Sequence, residues 1–314
     1  MTAWYASHLV LIEATFINFL LALSIHVPLR VGVFSFAGVG SYGLGAYTAA
    51  VLTLRYEVPA AVAIGAAVLF SALVGYLFSL LVARLSGLYL AMATIAFVLI
   101  IAVLATNGGE LTGGAHGLYG VISDLTTGGV VVVCAVAALL LALTERGPLR
   151  RRVDAVREDP ELSLSMGIAV VPMRQIAFAV SGALGACAGA MNTLLRTTVS
   201  PEEVNFHLIV LALTMVIIGG IRSWLGALIG AVIFTWLPSV LSTAGQWQDL
   251  VYGLIIILAA VFMPTGLLGL AQSGYRKLRG RSGGAVAASA DGADAQERAV
   301  REALGGESSK EGVR

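Results

Sequence analysis

Nine stretches of this chain are apolar and long enough to cross a lipid bilayer or to come close to it. Because lipid offers no hydrogen-bond partner to a backbone N–H or C=O, such a segment folds as an α-helix, and about 20 residues span the hydrocarbon. The stretches are Leu9–Ile25, Phe34–Leu54, Pro59–Ala83, Leu88–Thr106, Val130–Leu143, Gln175–Leu195, Leu208–Ile221, Leu225–Val240 and Leu250–Phe262. We therefore predict an all-α, polytopic transmembrane helical bundle of about nine spans, within a range of roughly eight to ten.

The composition excludes several classes of protein. Hydrophobic residues make up 58% of the chain and charged residues only 12%, which excludes a soluble single-domain enzyme. The net charge of +1 gives no reason to expect a nucleic-acid partner. Cys134 and Cys187 lie in apolar stretches, where a free cysteine is a small buried hydrophobe. We expect no disulfide, no metal site and no cofactor.

Few side chains could perform chemistry within the membrane. Ser41 is the one tempting nucleophile, but the four histidines fall at span ends or in loops, where none is placed as its base. Glu13 stands about one turn into the first span, so we interpret it as reaching the interface. The chain contains no P-loop, so any ATP must be hydrolysed by another chain. We predict that the protein is not an enzyme.

Glycine is unusually dense between Val31 and Gly45, a segment that could form one helix, a broken helix or a re-entrant loop. Two interpretations remain open for its glycines, close helix packing and a helix break beside a substrate path. Elsewhere, two glycine pairs at a spacing of four suit close helix crossings, which we expect inside one subunit rather than between subunits. These pairs are Gly185 with Gly189 and Gly226 with Gly230.

Arginine is distributed unevenly among the connections. The connection 145–174 holds six arginines, whereas the connection 107–129 holds neither Lys nor Arg. Since basic residues accumulate on the cytoplasmic side, we predict that the first is cytoplasmic and the second external, with the N-terminus outside and the C-terminus inside. We divide the chain into a transmembrane domain, 1–275, and a cytoplasmic tail, 276–314, whose composition predicts disorder.

The predicted cytoplasmic connection contains a segment, Asp154–Gly167, with a charged start and an apolar second half. Acidic residues suit the first turns of a helix, and Gly167 suits its end. Pro160 is tolerated only in a first turn, so it leaves the start of the helix open. The residues alone favour a docking helix and a solvated linker equally.

Five motifs resemble, in order and spacing, those of a known family. They are Ser35–Thr48 (SFAGVGSYGLGAYT), Gly87–Thr94 (GLYLAMAT), Thr112–Leu118 (TGGAHGL), Ala155–Asp159 (AVRED) with Gly167–Ile168, and Val199–Pro201 (VSP). Over about Leu9 to Leu270 the chain resembles the LivM-type permease subunit of branched-chain amino acid ABC importers. The resemblance implies the all-helical fold of that importer class and a place in the inner membrane.

It also implies partners and a solute. The expected partners are a second homologous permease, two cytoplasmic ATPase subunits and an external substrate-binding protein, and the expected solutes are branched-chain amino acids. An importer of urea or short-chain amides is the nearest alternative, and a stand-alone channel is a more distant one.

The resemblance assigns the docking segment to the ATPase. Apolar residues should supply the buried contact, charged residues should fix its orientation, and a glycine should end the helix. These coupling residues are Leu162, Leu164, Met166, Arg157, Glu158, Asp159 and Gly167. Residues expected along the translocation pathway are Gly38, Gly40, Gly43, Gly45, Thr112, Gly113 and Gly114.

Overall fold

A computed structural model describes residues 2–221 and 223–241, with side chains from residue 8 onward, and the positions 253, 254 and 257. The ninth predicted span, Leu250–Phe262, lies outside the described residues apart from those three positions. The predicted tail, 276–314, lies outside them entirely.

Ten α-helices follow one another through the described residues. They are α1 Thr2–Arg30, α2 Ala37–Tyr56, α3 Ala60–Leu81, α4 Gly87–Asn107, α5 Thr127–Thr144, α6 Gly147–Glu158, α7 Pro160–Ser165, α8 Val170–Arg196, α9 Phe206–Gly219 and α10 Trp224–Leu241. All except α6 and α7 coincide with predicted apolar stretches. An all-α polytopic membrane protein therefore fits the structure.

The predicted count of about nine spans is not confirmed. In the described part of the chain, six helices are long and apolar enough to cross a membrane: α1, α3, α4, α5, α8 and α10. The helix α9 has only 14 residues, and α2 is diluted by glycine, serine and tyrosine. Both nevertheless pack among the longer helices, α2 mainly against α8 and α9 mainly against α10.

The helix α8 lies at the centre of the described bundle, in contact with α1, α2 and α3. Its glycines explain how closely α2 can approach. A Cβ atom added at Gly185 would overlap the carbonyl oxygen of Gly38, and one added at Gly189 would overlap that of Tyr42. A Cβ atom at Gly230 would likewise overlap the backbone of α9. Both glycine pairs thus pack inside the subunit, as predicted.

The glycine-dense segment contains the end of one helix and the start of the next. The helix α1 ends at Arg30, a short link follows, and α2 begins at Ala37 and continues through all four predicted pathway glycines without a break. The backbone N–H of Phe36, in the link, donates a hydrogen bond of 3.1 Å to Oγ1 of Thr94 on α4. This bond fixes the point at which α2 enters the bundle.

Two connections that are distant in sequence meet at the end of the bundle that we predicted to be external. The strand β1, Leu118–Tyr119, pairs antiparallel with β2, Thr198–Val199. Three short 3-10 turns flank the strands: Gly109–Leu111, Gly114–His116 and Pro201–Glu203. We name the two ends after the predicted orientation: this end is called the external end, and the opposite one, which carries α6 and α7, is called the cytoplasmic end.

Candidate functional site

The predicted docking segment forms two helices, with Asp159 between them. Oδ1 of Asp159 accepts hydrogen bonds from the backbone N–H groups of Glu161 (3.0 Å) and Leu162 (2.9 Å) and so caps α7. Pro160 occupies the first position of α7, where a missing N–H does no harm. At the other end Gly167 has a φ of 79°, the left-handed conformation predicted for it. Sequence therefore determines both ends of this short helix.

The apolar residues of α7 and of its C-terminal turn are not covered by the described chain. Leu162, Leu164 and Met166 are 57%, 56% and 70% exposed. Arg157 and Glu158, at the end of α6, are also exposed. We call Leu162, Leu164 and Met166 the docking surface. Exposed apolar groups of this size, rimmed by charge, are typical of contact sites.

The helix α6 is attached to the bundle by its other face. Val153 and Val156 are buried in a cluster with residues from the α1–α2 link and from α8, namely Val31, Val170 and Ala177. Gly32, with a φ of 75°, lies so close to α6 that an added Cβ atom would be 3.2 Å from Cα of Arg157. The docking segment therefore touches the link between α1 and α2 directly.

A polar cluster joins three helices at the cytoplasmic end. The carboxylate of Glu145, directly after α5, accepts hydrogen bonds from the backbone N–H of Trp224 (2.8 Å) and the hydroxyl of Ser223 (3.1 Å) at the start of α10. Nη1 of Arg30 and Nε2 of His26, both on α1, lie 3.6 Å and 3.8 Å from Oε1 of Glu145. Burial acts to raise the pKa of Glu145, but these four polar partners outweigh it and lower the pKa.

The four predicted pathway glycines all lie on α2 and are all buried. Added Cβ atoms would meet Ser24 and Ser181 at Gly38, Phe97 at Gly40, Val204 and Ile101 at Gly43, and Ala186 at Gly45. These contacts fit the packing interpretation. A role for the glycines in a substrate path stays a prediction.

At the external end the motifs Thr112–Leu118 and Val199–Pro201 form one folded unit. Gly117, with a φ of 77°, lies against the carbonyl oxygen of Val199, where an added Cβ atom would overlap it. Gly113 has a φ of 74° and lies in the same way against the carbonyl oxygen of Gly117. The three residues predicted here are half-buried in this unit: Thr112, Gly113 and Gly114. Their role as a gate or as a contact for a binding protein stays a prediction.

A cavity of about 340 Å³ lies beside this unit, bordered by α1, α2, α8 and α9. Its polar wall contains Glu203, Asn192 and Arg196, and Nδ2 of Asn192 donates a hydrogen bond of 3.2 Å to Oε2 of Glu203. Burial raises the pKa of Glu203, and Arg196 opposes this by a smaller amount. A second cavity of about 410 Å³ adjoins the first. The two share Ala14, Asn18, Arg196, His207 and Leu211.

Sequence reasoning did not identify Glu145 or Glu203 as site residues. Each stands in a connection between apolar stretches, where a carboxylate is ordinary, and its partners come from other parts of the chain. The available signals were two amides inside apolar stretches that line the same cavity, Asn18 in Leu9–Ile25 and Asn192 in Gln175–Leu195.

The structure also shows what surrounds the other candidate residues. Ser41 is fully buried where α2 crosses α8, near Gly182. Oε1 of Glu13 accepts a 2.5 Å hydrogen bond from the hydroxyl of Thr127 at the start of α5. Within the described residues, no group of three or more His, Cys, Asp or Glu side chains could hold a metal ion.

Helices long and apolar enough to cross a membrane, an anchored helix pair at one end and a cavity of ligand size at the other are features expected of a multi-pass membrane permease. Residues 9–260 match the family model described as the permease component of the branched-chain amino acid transport system. The chain therefore belongs to this family, and the predicted resemblance is confirmed. It is a family of transport permeases, not of enzymes.

Individual relatives agree with this assignment. The chain is 28% identical, over 305 residues, to the high-affinity branched-chain amino acid transport system permease protein LivM of Salmonella typhimurium, a match that covers 86% of this chain and 72% of that protein. It is 29% identical, over 153 residues, to LivH of Escherichia coli, covering 47% of this chain and 49% of that protein. It is 35% identical, over 142 residues, to the fructose import permease FrcC of Rhizobium meliloti, covering 42% and 39%. No solved structure gives a significant match.

Proposed function

We propose that this permease carries branched-chain amino acids across the inner membrane as one subunit of an ATP-driven importer. Its partners are a second, homologous permease, two cytoplasmic ATPase subunits and an external substrate-binding protein. Similarity to both LivM and LivH, permeases of one named transport system, supports the pairing of two permeases. The relatives do not favour the alternative of a urea or amide importer.

The docking surface is the observation that carries the ATP-driven mechanism. Its three large apolar side chains stand on a helix of six residues and its C-terminal turn, held in shape by the Asp159 cap and the turn at Gly167. A short helix fixed in advance loses little entropy when it enters a groove on a partner. A stand-alone channel has no use for such a surface.

Contacts within the chain supply a route from the docking surface to the membrane helices. The helix α6 is fixed to the α1–α2 link through its buried valines and the close approach of Gly32 to Arg157. The end of α1 is in turn linked to α5 and α10 through Glu145. Closure of the ATPase dimer moves α7 and α6, and α1, α5 and α10 follow because these contacts are direct.

Substitutions at the docking segment test the proposal. Glu158→Arg reverses a charge beside the docking surface, and Gly167→Val places a β-branched residue at a positive φ. We expect each to abolish substrate-stimulated ATP hydrolysis and co-purification of the ATPase, while the permease stays folded and inserted. The measurement is ATPase activity of the reconstituted importer with and without loaded binding protein.

Gly120→Val is the matched control. Gly120 also has a positive φ, 77°, and an added Cβ atom would meet nothing within 4 Å, but it lies at the external end. We expect this variant to retain the ATPase during purification. Full stimulation in both docking variants would contradict an ATP-driven mechanism that acts through this segment.

A further inference from the structure

Two oppositely charged side chains line the 340 Å³ cavity at the external end and form no ion pair with each other. Glu203 and Arg196 both line it, yet no ion pair within 4.0 Å joins them. Among the described residues, the Arg196 guanidinium makes no hydrogen bond, and the Glu203 carboxylate has one recorded partner, the amide of Asn192. Each charged group therefore retains capacity to bind a ligand.

The rest of the cavity wall is mainly apolar by area, and the cavity is open to water on the side of Arg196, Asn205 and His207, which are exposed. Its apolar lining comes from α1 and α9, as Ile17, Leu21, Leu208 and Leu211. Tyr42 and Asn192, each only 5% exposed, close it on the α2 and α8 sides. A ligand that fits this wall carries a positive group, a negative group and a compact apolar body.

We propose that this cavity binds the transported solute as a zwitterionic, aliphatic α-amino acid. Glu203 receives the ammonium group, Arg196 receives the carboxylate, and the apolar faces of α1 and α9 hold the side chain. The inference rests on the proposed function and adds a solute-contacting site within this subunit.

The electrostatics of Glu203 agree with this role. Its raised pKa reflects lost hydration, with Arg196 as a weaker opposing influence. A bound ammonium group supplies the positive partner that water does not supply there. An aliphatic solute with only one of the two charges leaves either the carboxylate or the guanidinium without its partner, which is unfavourable in a partly dry site.

Substrate protection of a cysteine tests the proposal in the complete importer. Ala14→Cys places a thiol in the wall shared by both cavities, and Ala115→Cys places one on the exposed external turn. The native Cys134 and Cys187 are buried and contribute little background. The rate of modification by a small, soluble maleimide is measured without ATP or binding protein, in increasing leucine, leucinamide or 4-methylpentanoate.

We expect leucine to slow labelling at position 14 but not at position 115, and the two singly charged analogues to protect at least about tenfold less well. Glu203→Gln and Arg196→Gln should each raise the leucine concentration for half-protection about tenfold, with partial recovery in Arg196→Lys. Glu202→Gln is the matched control, because Glu202 is exposed and precedes Glu203 in the same turn. It should leave protection unchanged.

Other outcomes would overturn the inference. They are equal protection by leucine and its analogues, unchanged protection in Glu203→Gln, and a thiol at position 14 that the second permease covers in the complex. In each case, ATP-dependent leucine uptake by the unmodified importer with its binding protein would leave the proposed function standing. Absence of that uptake would contradict the proposed function itself. Uptake by Glu203→Gln without the added cysteine gives a second measurement, expected to fall about tenfold.

Discussion

At the scale of single residues, two glutamates show how surroundings assign different roles to one side chain. Glu145 lies among two hydrogen-bond donors and two basic side chains, which together lower its pKa despite burial. Glu203 has one amide partner and no ion pair within 4.0 Å among the described residues, and burial raises its pKa more than Arg196 lowers it. The carboxylate of Glu145 already has hydrogen-bond partners and links helices through them. The carboxylate of Glu203 can still accept hydrogen bonds from a ligand.

Replacing Glu145 with Gln should destabilise the purified subunit by about 2 kcal/mol at pH 7, because the hydrogen bonds lose their charge and Arg30 loses its counterion. The lowered pKa also fixes the sign of the pH dependence. The stabilisation by Glu145 is complete above its ordinary pKa of 4.5 and disappears as the pH falls through the lower, folded-state value.

Thermal unfolding in detergent between pH 7 and pH 3 measures both effects. The Glu145→Gln protein should melt at a lower temperature at pH 7 and show a smaller loss on acidification. Glu161→Gln, a change at an exposed glutamate, should behave like the unmodified chain. Identical melting curves for Glu145→Gln and the unmodified protein would contradict the proposed role of the cluster.

At the scale of elements, the bundle depends on close contacts between helix backbones. The helices α2 and α8 meet where glycines face carbonyl oxygens, as Gly185 faces Gly38. Between membrane helices this close packing replaces the hydrophobic driving force, which lipid does not provide. A single added methyl group at such a position separates the helices.

Gly185→Ala should therefore destabilise the subunit by about 3 kcal/mol, the upper part of the range for overpacking, because the carbonyl oxygen of Gly38 cannot move away without α2. Gly65→Ala on α3 is the matched control, since an added Cβ atom there meets nothing within 4 Å. The melting temperature and the yield of monodisperse protein measure the effect. Equal values for both variants would mean that α2 and α8 can separate at little cost.

The cap of α7 supplies a second test at this scale. Asp159→Ala removes the acceptor of two backbone N–H groups and should cost about 1 kcal/mol of helix stability, whereas Asp159→Asn keeps an acceptor oxygen. If Asp159 acts as a cap, stimulated ATP hydrolysis in the reconstituted importer should fall in the alanine variant and persist in the asparagine variant. Equal loss in both variants would instead assign its charge to a contact with the ATPase.

At the scale of the whole molecule, the helices could be predicted from the sequence more fully than the contacts between them. Eight of the predicted apolar stretches are helices in the structure, because the hydrophobicity of a segment indicates whether it lies in an apolar environment. The docking segment was predicted as one helix and is two, since the break depends on a local cap at Asp159. The contacts of Glu145 with α1, of Glu203 with Asn192 and of Gly117 with Val199 join distant segments, and no local pattern records which segments meet.

The orientation in the membrane is predicted from the distribution of charge alone. One connection holds six arginines, whereas the other holds none. Ala115→Cys and Ala169→Cys test it, because both alanines are exposed, at opposite ends of the bundle, and the native cysteines are buried. A membrane-impermeant maleimide should label position 115 in intact spheroplasts and position 169 only after permeabilisation. The reverse pattern would place α6 and α7 outside the cell, where the docking surface could not meet a cytoplasmic ATPase. The same labelling therefore bears on the direction of insertion and on the ATP-driven mechanism that depends on it.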